Sequence, residues 1–385
     1  MTKVLVISNQ CIASPNSING KGGSLYCMVK AQNGFDVDLL YFGKKDIESE
    51  KDSNSIFGKI IHYDITKKYN KLNFALSFLK LESRLTCNYK FKKIKKLDIF
   101  NNYDYIVLDG CASLKIAKYL KKNKVIAFMI DSIPLNYERR SKFEPFFRKI
   151  YSRMQSSLLK KEERENYKFC RRIAFVSEID SEYEKMINYK YAKNIKTVTN
   201  GIFADDIKVA DTNNEMGLSL MFSGIMDYHP NSSAVEYFFN NLYEKILKMY
   251  PNLKVYLVGK NENNILKYSR ENVIVTGKVD SIYKYMKGCT VYISPLTYGT
   301  GIKNKILEAM GCGCAIVASK CSVEGIDDLV NGENIFIADT CDEWIKYISL
   351  LLNSEILRKK FGSSCSSIIS HKYEWESKLK ELIYE

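Results

Sequence analysis

The sequence predicts an α/β protein of two doubly wound domains, and three observations carry that reading. The chain has 385 residues, enough for two hydrophobic cores. It opens as strand, glycine-rich turn, helix and strand, the way a parallel sheet with covering helices begins. The same alternation restarts near Leu218, after a stretch rich in Asp, Asn and Thr. An apolar share of 46% is ordinary for a globular protein and excludes a disordered chain.

In order, Val4 to Ser8 reads as a buried strand, with a loop from Gln10 to Ser24 that ends in Gly20-Lys21-Gly22-Gly23-Ser24. A helix to Asn33 follows, and Gly34 turns the chain into a second strand, Phe35 to Phe42. The glycines lack the spacing of a dinucleotide fingerprint, so hydride chemistry gains little support. Asp36-Val37-Asp38 lies inside that strand and reads as surface charge rather than a metal motif. Tyr105 to Asp109 and Val125 to Ile130 are the next strands. Asp131 falls at the carboxyl end of the latter, where open α/β sheets bind ligands. Phe146 to Arg171 has a helical pattern, and Ile173 to Ser177 forms a further strand. A linker is expected over Thr199 to Asn214.

Charge divides the chain. Residues 1–198 hold 38 Lys and Arg against 21 Asp and Glu, whereas the rest hold 20 against 23. The whole excess of +14 therefore resides in the first half, which implies a surface that meets something anionic. Solvated surface lysines are the plainer alternative. Lys67 to Lys96 mixes leucines and phenylalanines with lysines and ends in Lys90-Phe91-Lys92-Lys93-Ile94-Lys95-Lys96, a composition that suits an anionic leaflet. Within it, Leu72–Leu81 reads as a helix packed on its own domain.

No apolar run approaches the roughly 20 residues of a membrane span. Met1 to Ser8 reads as a strand, not a signal peptide. Eleven cysteines without Cys-x-x-Cys spacing read as thiols in a reducing cytoplasm. With three histidines in the chain, no metal site is expected, Cys312 and Cys314 included.

The second half carries the chemistry. Strands are expected at Leu218–Phe222, Lys254–Val258, Val273–Val275 and Thr290–Ile293. After the last comes Tyr298-Gly299-Thr300-Gly301-Ile302-Lys303-Asn304-Lys305-Ile306-Leu307-Glu308-Ala309-Met310. Glycines let backbone approach a ligand, and the open N–H groups of a helix start beside Lys303 and Lys305 make a phosphate site. Glu308 follows Lys305 on the same helical face, where a carboxylate suits the hydroxyls of a ribose. This combination describes a nucleotide-diphosphate site. His229, before Pro230, reads as a turn residue, with a functional role as the alternative.

Gly-x-Gly-x-Lys-x-Lys-x-x-Glu-Ala-Met-x-x-Gly from Gly299, Ala315 to Ser319 and Glu324-Gly325-Ile326 together resemble the donor half of glycosyltransferase family 4. The segment Asp131 to Arg140 resembles capsule and exopolysaccharide sugar transferases within it. The resemblance implies a GT-B fold, two Rossmann-like domains facing across a cleft. It implies an acceptor-binding domain over 1–198, a nucleotide-sugar-binding domain over 199–370, and a C-terminal helix within 371–385, marked by Trp375, that crosses back to the first domain. It further implies a retaining, metal-independent sugar transferase that needs no cofactor and takes a nucleotide-diphosphate sugar as co-substrate.

By the same resemblance, Gly22, Gly23 and Ser24 contact the cleft, and Gly224 and Ile302 line the donor site. Gly277, Lys278 and Val279 hold the nucleobase through backbone groups. The segment Gly224-Ile225-Met226-Asp227, ending at Asn231, matches a subgroup that lacks the Arg and Lys with which many relatives grip the diphosphate. Lys303 and Lys305 would then supply that charge. Thr300 stands where the family's first paired glutamate falls, and Asp131 where many relatives place a histidine. The candidate catalytic residues are Asp131, Lys305 and Thr300.

The implied partners are a saccharide acceptor, on undecaprenyl diphosphate with a protein acceptor as the alternative, and an anionic membrane surface, for a cytoplasmic enzyme peripheral at the inner face of the plasma membrane. Nucleic acid is not among them, because no recognisable module accompanies the charge. Two alternatives remain open: a catalytically silent GT-B subunit that binds a partner enzyme or membrane, and a nucleotide-sugar epimerase.

Overall fold

A computed structural model describes residues 1–14, 23–67, 83–142, 144–211, 216–260, 265–299 and 301–385. Gly22, Thr300 and the expected helix over Leu72–Leu81 lie outside the described residues. The chain divides into two units, Met1–Thr199 with Trp375–Glu385, and Asn200–Glu374.

The first unit is built on seven strands: β1 (Thr2–Ser8), β2 (Phe35–Tyr41), β3 (Ile60–His62), β4 (Tyr105–Asp109), β5 (Val125–Ile130), β6 (Arg172–Phe175) and β7 (Ile195–Thr197). They lie in the order β3-β2-β1-β4-β5-β6-β7, and every pairing is parallel. Val4 sits between Val37 and Tyr105, so the order reverses between β1 and β4. That reversal opens a crevice at the strands' carboxyl ends. Strand residues are buried on both faces, which is why Val4–Ile7 and Val125–Met129 read as continuous apolar runs.

The second unit holds β8 (Ser219–Ser223), β9 (Lys254–Val258), β10 (Val273–Gly277), β11 (Val291–Ser294), β12 (Ile316–Ala318) and β13 (Phe336–Ile337), again all parallel, in the order β10-β9-β8-β11-β12-β13. Alternation splits its core in two. Leu220, Phe222, Val255, Leu257, Val291 and Ile293 face one cluster with Trp344 and Ile348. Met221, Tyr256, Val258 and Tyr292 face another with Ile306, Leu307 and Met310. Here the order reverses between β8 and β11, and the loops after both strands meet the crevice.

Several expectations are corrected. The expected linker contains a helix, Ala204–Val209, whose Ile207 is buried in the second unit. Lys90–Lys96 does not present its apolar residues outward: Phe91 and Ile94 are buried in the first core and only the lysines remain outside. Asp36 is exposed, but Asp38 is half-buried and accepts a 2.6 Å hydrogen bond from the Tyr103 hydroxyl.

The closing helix, Trp375–Tyr384, packs in the first unit against the helix Gly23–Ala31. It buries Trp375, Leu379, Leu382 and Ile383, and Arg172 Nη1 donates to the carbonyls of Glu381 and Leu382 at 2.9 Å each. All eleven cysteines are free thiols. Among the described residues no helix is long and apolar enough to cross a membrane.

Candidate functional site

The site in the second unit forms where three strands end. Gly224 follows β8 with φ +150°, a region L side chains rarely adopt, and a Cβ there would stand 2.6 Å from Asn231 Nδ2 and 3.0 Å from Lys305 Nζ. Gly259 follows β9 with φ +132°, and its Cβ would stand 2.2 Å from the Gly224 carbonyl oxygen. Its amide donates to the Gly277 carbonyl at 3.1 Å, at the end of β10. Backbone alone therefore fills this edge, and Gly277, Gly224 and Lys305 are joined through direct neighbours. Lys278 is exposed beyond them, and Val279 packs on the core beneath.

The loop after β11 leads through Tyr298, Gly299 and Gly301 to the helix Asn304–Gly311. Ile302 is buried and anchors the loop. The helix starts after Lys303 with no side-chain cap, and in its first turn the Ile306 amide donates to the Lys303 carbonyl at 2.8 Å. Lys303 Nζ folds back to donate to the Gly301 carbonyl at 2.6 Å. Lys305 points the other way. Its Nζ donates to Asn231 Oδ1 at 2.6 Å and lies 4.3 Å over the Phe222 ring. Asn231 is itself held by donating from Nδ2 to the Ile225 carbonyl at 2.8 Å.

Electrostatics single this helix out. Burial pushes the Lys305 ammonium down from 10.5 to about 7, with Glu308 pulling it up and Lys303 pushing it further down. Burial pushes the Glu308 carboxyl up from 4.5 to about 7, opposed by Lys305. Both groups are thus poised at neutrality, and an anion beside Lys305 would restore its full charge. At the rim, His229 Nδ1 and the Tyr298 hydroxyl are hydrogen-bonded, and His229 opens the helix after β8.

In the first unit, Gly23 and Ser24 begin the helix after β1, and Asp131 follows β5, all at the carboxyl edge of their sheet. Ile130 adopts φ +67° just before Asp131, strained backbone that fixes how Asp131 leaves the strand. Ser132 is locked beneath it: its amide donates to Asp180 Oδ1 at 3.0 Å and its hydroxyl to Glu184 Oε1 at 2.5 Å.

Sequence reasoning gave no role to Asn231, although it lies in the quoted motif, and overlooked Gly259. An Asn at the start of the helix after β8 was the available signal. It also overlooked Asp109, buried at the reversal between β1 and β4, where it accepts from Ser8 Oγ at 2.7 Å and is pushed up to about 6 by burial. Among the described residues no cluster of His, Cys, Asp and Glu could hold a metal ion.

Residues 217–354, about four-fifths of the second unit and a little over a third of the chain, match the family of glycosyl transferases group 1. The two parallel sheets give a GT-B fold, two Rossmann-like domains in one chain, and the second of them carries the glycosyl transferases group 1 match. Over its full length it resembles an uncharacterized 44.6 kDa protein in the cps region of Klebsiella pneumoniae, 21% identical over 397 residues and covering 97% of each chain. Among solved structures it is similar to TarM, with TM-score 0.68 at 14% identity, covering 100% of this chain and 99% of that one. It is likewise similar to HepE of Anabaena in complex with UDP, with TM-score 0.64 at 13% identity, covering 99% and 98%.

Proposed function

We propose that the protein moves a sugar from a nucleotide-diphosphate donor to a saccharide acceptor during cell-surface polysaccharide assembly, with retention of configuration and without a divalent metal. The observation that carries the reading is Lys305, held by Asn231 over Phe222 at an uncapped helix start, with Glu308 one turn further on. In this reading Lys305 and the first-turn amides bind the diphosphate and stabilise the charge that grows on it as the glycosidic bond breaks. Lys303 releases its loop carbonyl to join them. Glu308 accepts from the ribose hydroxyls, and the backbone at Gly277–Val279 meets the base. A protein of the same fold holds UDP, which makes UDP the first nucleotide to try.

The first unit selects the acceptor, with Asp131 at the reacting end. The kinship to a cps-region protein and the basic first half support a saccharide carried on undecaprenyl diphosphate. The enzyme then works from the cytoplasm, peripheral at the inner face of the plasma membrane.

Calorimetry with UDP, GDP, dTDP and CMP, with and without magnesium, tests this on the wild type and Lys305→Ala. Binding of one nucleotide, unchanged by magnesium and lost in the variant, is the expected result. If no nucleotide binds the wild type, the donor site does not exist and the chain is a silent subunit of the same fold.

A further inference from the structure

The first unit carries a second basic feature, on the opposite edge of its sheet from Asp131. A cavity of ≈ 980 Å³ is walled by Lys90, Lys92 and Lys93 on one side, Lys115 and Lys118 on another, and Lys161 and Lys168 on a third. A smaller one of ≈ 330 Å³ shares Lys118 and Tyr119 and continues to Lys121 and Lys124. Lys124 immediately precedes β5, Phe100 and Asn101 precede β4, and Lys168 and Phe169 precede β6. The concavity therefore lies at the amino ends of the strands, whereas Asp109, Asp131 and Ser177 leave from the carboxyl ends.

Among the described residues, seven lysines face two carboxylates in the larger cavity, Glu162 and Glu165. Glu162 is turned inward: Ser83 and Thr86 donate to it, and Lys115 pairs with it at 2.8 Å. Among the described residues, no other of the seven lysines forms an ion pair. Solvated lysines normally spread over convex surface, where their repulsion is screened. Gathering them around one concavity focuses the field and favours an anion inside it. Two of the ammonium groups lie over the neighbouring ring, with Lys118 Nζ 5.2 Å from the Tyr119 centroid and Lys168 Nζ 5.0 Å from that of Phe169. Ammonium groups gathered beside aromatic walls suit phosphate oxygens carried on a carbon skeleton.

We propose that this lysine-walled cavity is a binding site for a phosphate-bearing anion, separate from the donor site and independent of whether the donor reading holds. The phosphate could arrive on a soluble molecule or as the headgroup of an anionic lipid, and two probes separate these sources. Inorganic pyrophosphate is titrated into full-length Lys305→Ala protein, which removes the donor site as a competing sink. Sedimentation is measured with vesicles of phosphatidylglycerol and phosphatidylcholine against phosphatidylcholine alone. Each is repeated with Lys92→Glu/Lys118→Glu and, separately, with Lys161→Glu, all exposed positions whose change leaves the core intact.

Pyrophosphate binding weakened by about tenfold or more in both variants assigns a soluble phosphate source. Retention on the anionic vesicles alone, lost to the same degree and falling with salt, assigns a headgroup. Both results together assign a site that reads the phosphate whatever carries it. No binding of either probe, or binding that both variants leave unchanged, overturns the proposal. UDP binding by the two variants with Lys305 intact reports separately on the donor site, so either reading can fail alone.

Discussion

Replacing Lys305 by Met tests the electrostatics of the donor helix without removing its bulk. An ammonium that ordinarily titrates at 10.5 is held at about 7 in the folded protein. The unfolded chain therefore binds more protons than the folded one between pH 7 and 10.5, and the stability of the wild type rises across that window. Each tenfold change in proton affinity is worth about 1.4 kcal/mol. Because Lys305 is already half titrated at pH 7, the gain from pH 7 to pH 9 is roughly 2 kcal/mol. Lys305→Met abolishes it. The variant also leaves Asn231 Oδ1 without its donor, a cost of about 1 kcal/mol that does not vary with pH. Loss of the cation raises the Glu308 carboxyl further, which lowers the variant's stability as pH rises and widens the difference in the same direction. Urea unfolding of both proteins at pH 7 and 9 gives the comparison, since every other titrating group cancels between them. A saturating nucleotide adds a second reading: reprotonation of Lys305 on binding makes the nucleotide's stabilising increment larger at pH 7 than at pH 9. Parallel pH profiles for wild type and variant would refute the reasoning.

Gly224→Ala places a Cβ against Asn231 and Lys305 at a left-handed φ, and nucleotide affinity should fall by about tenfold or more in calorimetry. Gly34→Ala is the matched control, with φ +109° but open space around its Cβ, and should cost about 1 kcal/mol in unfolding while nucleotide affinity stays the same. Glu163 is buried with Oε2 unpaired, and burial with Glu184 and Glu162 nearby raises its carboxyl well above the usual range. Glu184 is itself pushed up to about 7, chiefly by burial. The folded state thus keeps protons that the unfolded chain releases above pH 4.5, and stability falls as pH rises from there through 7. Glu163→Gln should flatten that fall in thermal melts at pH 5 and pH 8. Truncation after Glu374 removes the buried face of the last helix and both carbonyl partners of Arg172. It should lower the melting of the first unit while nucleotide binding by the second survives.

The fold was legible because strands buried on both faces write themselves as apolar runs, as in Val4–Ile7, Val125–Met129 and Val255–Val258. The short edge strands Ile60–His62, Ile195–Thr197 and Phe336–Ile337 were not, since two or three residues carry no period. Lys303, Lys305 and Glu308 could be read because a helix start gathers them within about a turn and a half. Asn231 and Gly259 could not be given their roles, because both act across the sheet through Gly224, and only parallel pairing brings those loops together. The lysines around the first unit's cavity were visible as charge but not as a site. Lys92, Lys118 and Lys161 come from segments far apart in sequence and meet only once the helices cover the sheet.

On the proposed reading, Lys305 and Glu308 show why the donor edge is built at a cost. Each is held near the point where its charge is half lost, and a core of apolar residues in their place would be more stable. What such a core could not do is change state when a diphosphate arrives. On that reading, an anion at Lys305 would raise its proton affinity and complete the cation, whose attraction opposes the burial that raises the Glu308 carboxyl. On the same proposed reading, phosphate and ribose recognition would be coupled through one helical turn. Ribose binding should accordingly weaken in Lys305→Met even though the ribose does not touch Lys305. Free uridine, which lacks the phosphates, should bind more weakly to the wild type than its surface of contact with Glu308 would suggest. If uridine bound wild type and Lys305→Met equally, the two halves of the site would be independent, and Glu308 would owe its raised carboxyl to burial alone.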